Sequence, residues 1–116
     1  MRGAWGERVA QDYLRERGYT IVATNFRTRF GEIDMIAQQG EYLVFVEVKT
    51  RRDTRFGAAR EHVTAAKQAK IIAAAEAWLQ QQPTTLQPRF DVIEVYGEQG
   101  AARPPHIIQL ENAFGG

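Results

Sequence analysis

The sequence has 116 residues, 44% hydrophobic and 25% charged, and its 15 basic and 14 acidic side chains leave a net charge of +1. We expect one globular domain over residues 1–116, with no general attraction to polyanions, so any nucleic-acid partner must be bound by local clusters of charge. Cysteine is absent, which excludes disulfides and thiolate zinc sites, and no stretch resembles a signal peptide or a membrane span. These features predict a cytoplasmic protein without membrane contact.

The first predicted element is a helix over residues 4–17. Apolar residues recur at helical spacing from Trp5 to Leu14, and Gly18 is a natural stop. Glu7 falls on the edge of this apolar arc. Two interpretations stay open for Glu7: a favourable partner of the helix dipole in the first turn, or a contributor to an active site.

The most informative stretch spans residues 31–52, where two strands joined by a turn are predicted. Glu47 and Lys49 interrupt an apolar run, and they share one face because side chains alternate along a strand. Asp34 lies on the preceding strand. The β-rich and alternating patterns predict strands over residues 19–25, 32–37 and 42–49, with the turn at 38–41.

The register of this hairpin decides whether its charges meet. A two-residue turn at residues 39–40 pairs Asp34 with Phe45 and Glu32 with Glu47, which puts all the acids and Lys49 on one face. In this register Asp34 is a diagonal neighbour of Glu47, with Cβ atoms roughly 6–8 Å apart. Two carboxylates at that spacing can converge on one cation.

Unpaired charges in an apolar strand are costly, which leaves a mutual salt bridge or a cation site as the two explanations. A bridge between Glu47 and Lys49 leaves Asp34 unexplained, so the pattern favours a site for Mg²⁺ or Mn²⁺. Asp34 and Glu47 are its predicted ligands, together with the backbone carbonyl of Val48. Lys49 is predicted to orient an attacking water and to stabilise charge on a phosphorus centre.

Basic residues cluster at both ends of the hairpin. Their side chains are predicted to contact phosphates in a sequence-independent, salt-sensitive way, although a solvated surface explains each of them individually. The predicted phosphate-binding residues are Arg27, Arg29, Arg51, Arg52 and Arg55.

A second helix is predicted to start after an N-cap at Thr64 and to run to about residue 82, before Pro83. Gln68 projects into its apolar arc and Lys67 sits at the margin. Gln68 is expected either to bond backbone groups or to hold a site residue. Strands follow over residues 89–96 and 106–110.

Asp34, followed by Glu47-Val48-Lys49 on the next strand, resembles the PD-(D/E)XK nuclease superfamily, which includes restriction enzymes and archaeal Holliday junction resolvases. More closely, the chain resembles the YraN family of bacterial proteins. The matching segments are Gly6-Glu7, Asn25-Phe26-Arg27, Gly31-Glu32-Ile33-Asp34, residues 45–51, Phe56-Gly57, Lys67 and Arg89-Phe90-Asp91. Ile33 occupies the place of the superfamily's usual proline, which is not a ligand.

The resemblance implies an α/β fold with a restriction-endonuclease-like mixed β-sheet flanked by helices and an α-β-β-β-α-β core. It implies that Glu7 joins Asp34, Glu47 and Lys49 as catalytic residues. It also implies that Gln68 or Lys67 approaches the site from the second helix. Lys67 would contact nucleic acid, and Gln68, like Glu32, would be a supporting residue.

The function that follows is metal-dependent hydrolysis of phosphodiester bonds, with DNA favoured over RNA and with branched or junction DNA as one candidate substrate. An enzyme of this size that cuts both strands is expected to be a homodimer, because each site reaches one phosphate at a time. The alternative is a nucleic-acid- or protein-binding module that keeps the fold without activity.

Overall fold

The computed structural model describes residues 2–52 and 63–115. In chain order these residues form helix α1 (Arg2–Glu16), strands β1 (Thr20–Arg27), β2 (Glu32–Gln39) and β3 (Tyr42–Arg51), helix α2 (Ala65–Gln81), and strands β4 (Gln87–Tyr96) and β5 (His106–Phe114). The strands make one mixed sheet in the order β1-β2-β3-β4-β5. Only the central pair, β3 and β4, is parallel among the described strands.

Each face of the sheet is covered by one helix. On one face, Ala10 and Leu14 of α1 pack among buried residues that include Met35 and Val46. On the other, Ile71 of α2 belongs to a second cluster that contains Phe45, Phe90 and other buried residues. Because Glu47 and Lys49 alternate with Val46 and Val48, their side chains lie on the α2 face.

The predicted α/β class and α-β-β-β-α-β core are confirmed, and β5 adds an edge strand. Thr64 is the N-cap of α2 as predicted, with its hydroxyl oxygen accepting from the backbone N–H of Lys67 at 3.2 Å. β5 is longer than the predicted 106–110: it extends to Phe114, whose ring stacks on Phe90 with centroids 5.2 Å apart. Neither described helix is long and apolar enough to cross a bilayer.

The predicted register of the hairpin is wrong by two residues. Gln39 pairs with Tyr42, so the turn is Gly40-Glu41 and not residues 39–40. Gly40 has a φ of +56°, a left-handed conformation that glycine adopts without a steric penalty, and this places the glycine first in the turn. A shift of two preserves the face of every side chain, so Asp34 and Glu47 still lie on the same side.

A charged network occupies the α1 face where β4 begins. The Asp91 carboxylate is fully buried and accepts two hydrogen bonds from the Arg89 guanidinium, at 2.9 and 2.8 Å. It also accepts from the backbone N–H of Asn112 and the side chain of Gln109, each at 3.0 Å. The Tyr19 hydroxyl accepts from Arg89 at 2.8 Å. The Asp91 carboxylate thus accepts four hydrogen bonds from protein groups, and in the described ranges no fully buried side-chain N or O atom lacks a partner, which indicates a structural role.

Candidate active site

The strands β2 and β3 separate where the predicted acids lie. Their ladder ends at the pair Met35 and Val46, whereas β3 stays paired with β4 as far as Arg51. Beyond the ladder, the N–H of Val48 donates to Oδ2 of Asp34 at 2.8 Å. The Asp34 carboxylate therefore takes the position of a backbone partner, and it is fixed at the mouth of the gap between the strands.

The Val48 carbonyl faces the same gap, because the N–H and C=O of one strand residue point to the same side. The Val48 carbonyl oxygen and the Asp34 carboxylate are therefore on the same side of β3.

Glu47 lies next to this gap and is surrounded by two lysines. Its side chain is only 6% exposed, and its Oε1 is 3.7 Å from the ammonium of Lys49 and 3.2 Å from that of Lys67. Lys67 comes from the first turn of α2, where the N-cap at Thr64 fixes the start of the helix. The structure therefore brings Lys67 into direct contact with a predicted ligand.

The Asp34 carboxyl is held in an unfavourable electrostatic environment. Burial and the neighbouring charges of Glu47 and Glu7 raise its pKa to about 7, against the opposing effects of the Val48 N–H and of Lys67. Burial is the largest of these causes, and repulsion from the two neighbouring acids adds to it, so a cation bound beside Asp34 would favour its ionised form.

Glu7, the third acid that the resemblance implies, approaches Asp34 and Glu47 from α1 closely enough for their charges to interact. Gly6 makes this approach achievable, because a Cβ at that position would collide with the hydroxyl of Thr50 on β3. Burial raises the pKa of the Glu7 carboxyl, as do the charges of Glu32 and Glu47, whereas a hydrogen bond with the Asn25 side chain lowers it. Glu7 is therefore a third carboxylate within electrostatic range of the pair.

Lys49 and Lys67 differ in their surroundings. The side chain of Lys49 is 15% exposed, and burial lowers the pKa of its ammonium, with the charges of Lys67 and Arg51 acting in the same direction. Burial also opposes the charged form of Lys67, but the charge of Glu47 and its hydrogen bond outweigh this effect and raise the pKa. Lys49 is thus the better proton donor, and Lys67 is the firmer counter-ion.

The donor set suits a hard divalent cation, although it is sparse. Within residues 2–52 and 63–115, no three His, Cys, Asp or Glu side chains are arranged to hold a metal ion. Asp34, Glu47 and the Val48 carbonyl would supply two carboxylates and one carbonyl oxygen. Mg²⁺ commonly binds through one or two carboxylates and keeps several waters, so these residues fit it.

The remaining predicted residues are mostly peripheral. Gln68 donates to the carbonyl of Val63 at 3.0 Å, which is the backbone role left open for it. Glu32 forms an exposed ion pair with Arg27 at 3.4 Å. The other predicted phosphate contacts have different neighbours. Arg52 pairs with Glu98 at 3.2 Å, and Arg51 donates to the Thr50 carbonyl at 3.0 Å. Arg29 lies over the Phe30 ring, and Arg55 falls outside the described residues.

One acid on the same face was missed. Glu94 is 1% exposed and is the parallel-strand partner of Lys49, so both side chains lie on the α2 side of the sheet. The signal was available, because Glu94 interrupts an apolar run just as Glu47 does.

Comparison with known proteins gives a consistent family. The family model of the uncharacterised protein family UPF0102 matches residues 6–95, a range that includes Glu7, Asp34, Glu47 and Glu94. A UPF0102 protein of Syntrophomonas wolfei is 44% identical over 113 residues, covering 97% of this chain and 96% of its own. One from Symbiobacterium thermophilum is 47% identical over 113 residues, covering 97% and 94%, and one from Vibrio parahaemolyticus is 49% identical over 92 residues, covering 78% and 76%.

Proposed function

We propose that this chain, which belongs to the UPF0102 (YraN) family, is a metal-dependent endonuclease. It would act on DNA in the cytoplasm. One observation carries the proposal: Asp34 accepts the Val48 N–H where β2 and β3 separate, beside buried Glu47. This arrangement agrees with the PD-(D/E)XK resemblance, in which the aspartate and the glutamate hold the metal.

Asp34, Glu47 and the Val48 carbonyl would hold Mg²⁺ or Mn²⁺. When bound, the ion supplies Lewis-acid polarisation of the phosphodiester and lowers the pKa of a coordinated water. The raised pKa of Asp34, caused by burial and by Glu47, supports this assignment because a divalent ion would favour the ionised carboxylate.

Lys49 would act on the reacting phosphate. Its side chain is only 15% exposed and its ammonium lies beside Glu47, so it would be available to donate hydrogen bonds to the attacking water and to the developing negative charge. Burial lowers its pKa, which also makes proton transfer to the leaving oxygen easier. Lys67 would keep Glu47 oriented until substrate and metal arrive.

The DNA backbone would lie across the basic residues at the open end of the gap. Arg27 and Arg52 are exposed, and the ion pairs that hold them are the kind that phosphates can readily replace. Branched or junction DNA is the substrate suggested by the likeness to Holliday junction resolvases. Cleavage of both strands would require two copies of the site, hence a homodimer.

A second candidate, a binding module without activity, is favoured by one observation. The Lys67 ammonium already lies 3.2 Å from Oε1 of Glu47, a predicted metal ligand. In such a module the lysine would serve as a permanent substitute for the cation.

The test is cleavage of labelled linear, flapped and four-way DNA in Mg²⁺ or Mn²⁺, with EDTA as the blank. Asp34→Asn and Lys49→Ala are each expected to lower the rate about 10²- to 10³-fold. The matched controls are Asp12→Asn and Lys70→Ala, an exposed acid and an exposed lysine with no place in the site. Cleavage that persists in both site variants contradicts the proposal, and binding by the wild type without cleavage in either metal supports the module.

A further inference from the structure

The loop between β1 and β2 is a tightly bonded structure. The Thr28 hydroxyl oxygen accepts from the N–H groups of Phe30 at 3.0 Å and Gly31 at 3.1 Å, and the Thr28 N–H donates to the Gly31 carbonyl at 2.8 Å. Gly31 packs on α2 so closely that a Cβ there would lie 2.8 Å from the Lys70 carbonyl oxygen. These contacts therefore fix the backbone of the loop against α2.

Phe30 is presented to solvent by this loop. It is 49% exposed, more than any other large hydrophobic residue in the described ranges, and it belongs to neither core cluster. The Arg29 guanidinium lies over its ring, 4.9 Å from the centroid. A single exposed apolar residue is ordinary, but an exposed aromatic on a hydrogen-bonded loop, with a cation over its ring, suits the stacking of a nucleobase.

An open cleft of about 400 Å³ lies between this loop and α2. Arg29 and Phe30 form one side, and Ala73, Glu76, Ala77 and Gln80 form the other. The alanines give a flat apolar surface, while Glu76 accepts hydrogen bonds and Gln80 both donates and accepts. The Glu76 carboxylate disfavours a phosphate in this cleft, so the chemistry fits the uncharged edge of a base.

The cleft is close to the acids. Phe30 precedes Asp34 by four residues, so even a fully extended chain keeps their Cα atoms within about 14 Å. At 3.4 Å per base along one strand, a distance of about 14 Å corresponds to about four nucleotides at most. A strand whose phosphate lies at Asp34 and Glu47 can therefore place a nearby base at Phe30.

We propose that the cleft between the β1–β2 loop and α2 binds an unpaired nucleobase close to the scissile phosphate, with Phe30 as the stacking surface. The inference rests on the proposed nuclease function and names its substrate class: DNA with an unpaired nucleotide near the cut, such as a flap or junction. A base in an intact duplex is already stacked on both faces, so it cannot enter the cleft without being extruded. Gln80 and Glu76 read the exposed base edge.

The experiment measures binding in EDTA, where no cleavage occurs. The probes are a flapped DNA with 2-aminopurine as its first unpaired base and a fully paired duplex with 2-aminopurine at the same distance from the end. Phe30→Ala is expected to weaken binding of the flapped DNA about 5- to 150-fold and to remove the stacking-induced quenching of fluorescence. Duplex binding stays unchanged.

Two further variants make the result specific. Phe30→Trp keeps an aromatic surface and should retain the affinity for the flap and the quenching. Val22→Ala removes another exposed apolar side chain, from the middle of β1, and should change nothing.

Equal binding of the flapped DNA by wild type and Phe30→Ala overturns the base cleft, whereas nuclease activity is judged separately by Asp34→Asn and Lys49→Ala. If Phe30→Ala instead converts a dimer to a monomer in sedimentation while the affinity for the flap is unchanged, the residue is a contact between copies and the inference falls. Failure of the wild type to bind any of the DNAs overturns the proposed function and the base cleft together.

Discussion

Asp91 and Glu47 are buried carboxylates on the two central strands, and their surroundings are opposite in character. Asp91 lies on the α1 face, where the Arg89 guanidinium, one backbone N–H and Gln109 satisfy both of its oxygens. The hydrogen bond with Asp91 raises the pKa of Arg89 further above its already high ordinary value. All of these partners are protein groups, which leaves no capacity for a ligand.

Glu47 lies on the α2 face, and its charged neighbours are lysine side chains instead of a hydrogen-bonded guanidinium. It interacts with the ammonium groups of Lys49 and Lys67, the Lys67 side chain being 44% exposed, and its charge helps to raise the pKa of Asp34 to about 7. Carboxylates in the first setting contribute to stability. Carboxylates in a setting like that of Glu47 can still interact with an added cation, which is what a metal or substrate site requires.

The largest effect that separates the two regions is expected in stability. Asp91→Ala should lower the free energy of unfolding by about 3–5 kcal/mol, because it leaves the Arg89 charge unpaired. Glu47→Ala should cost about 1 kcal/mol or less, because Lys67 can move into solvent, Asp34 loses a repulsive neighbour, and the charge of Asp34 still favours the Lys49 ammonium. Urea unfolding in EDTA measures both, and equal losses would remove the distinction.

The next effect concerns how α1 is held at the site. Gly6→Ala should cost about 1–3 kcal/mol of stability, because the new methyl group collides with Thr50, and it should slow DNA cleavage by displacing Glu7. The double variant with Thr50→Ala removes the obstructing hydroxyl and should recover most of both. A double variant no better than the single one would show that close packing is not the cause.

The raised pKa of Asp34 should make the free energy of unfolding of the metal-free protein depend on pH. Its folded pKa of about 7 is above the ordinary carboxyl value of 3.8, so the folded state holds more protons between these limits. The free energy of unfolding should therefore fall as pH rises from about 4 to 7, by about 1–2 kcal/mol after allowance for solvent screening. Asp34→Asn should abolish this decrease and Asp12→Asn should not; an identical pH profile in Asp34→Asn would contradict the assignment.

The smallest effect should come from the exposed arginines. Arg27→Ala breaks a surface ion pair, so stability should change by less than about 0.5 kcal/mol. In a salt titration of DNA binding, the slope of log K against log salt should decrease in magnitude by about 0.9, the value for one lost phosphate contact. Arg15→Ala removes a comparable surface pair on α1 and should leave the slope intact, so a similar decrease there would deny Arg27 a specific role.

The core of the site was predictable because charge in an apolar strand is costly and alternation assigns each side chain to a face. Those two rules singled out Glu47 and Lys49 and grouped them with Asp34. The register was not predictable, since two-residue turns at 39–40 and at 40–41 fit the same apolar pattern and only the conformation of Gly40 separates them.

The choice between neighbouring residues on α2 depended on tertiary packing. Lys67 and Gln68 both lie near the start of the helix, and the way the helix packs on the sheet decides which one reaches β3. Glu94 and Asp91 interrupt the same strand three residues apart, which places them on opposite faces. Nothing in that spacing tells which face carries the site.

The arrangement of the strands has a consequence for the order of folding. β1, β2 and β3 form a meander of neighbouring segments, and Asp34, Val48 and Glu47 all belong to it. The pairing of β3 with β4 instead closes a long loop that contains α2, and the Arg89–Asp91 network requires β4 and β5. Contacts between near segments form first, so we expect the acids to be assembled early and the network late. During synthesis, the part of the chain that carries the proposed chemistry would then take shape before the part that confers stability.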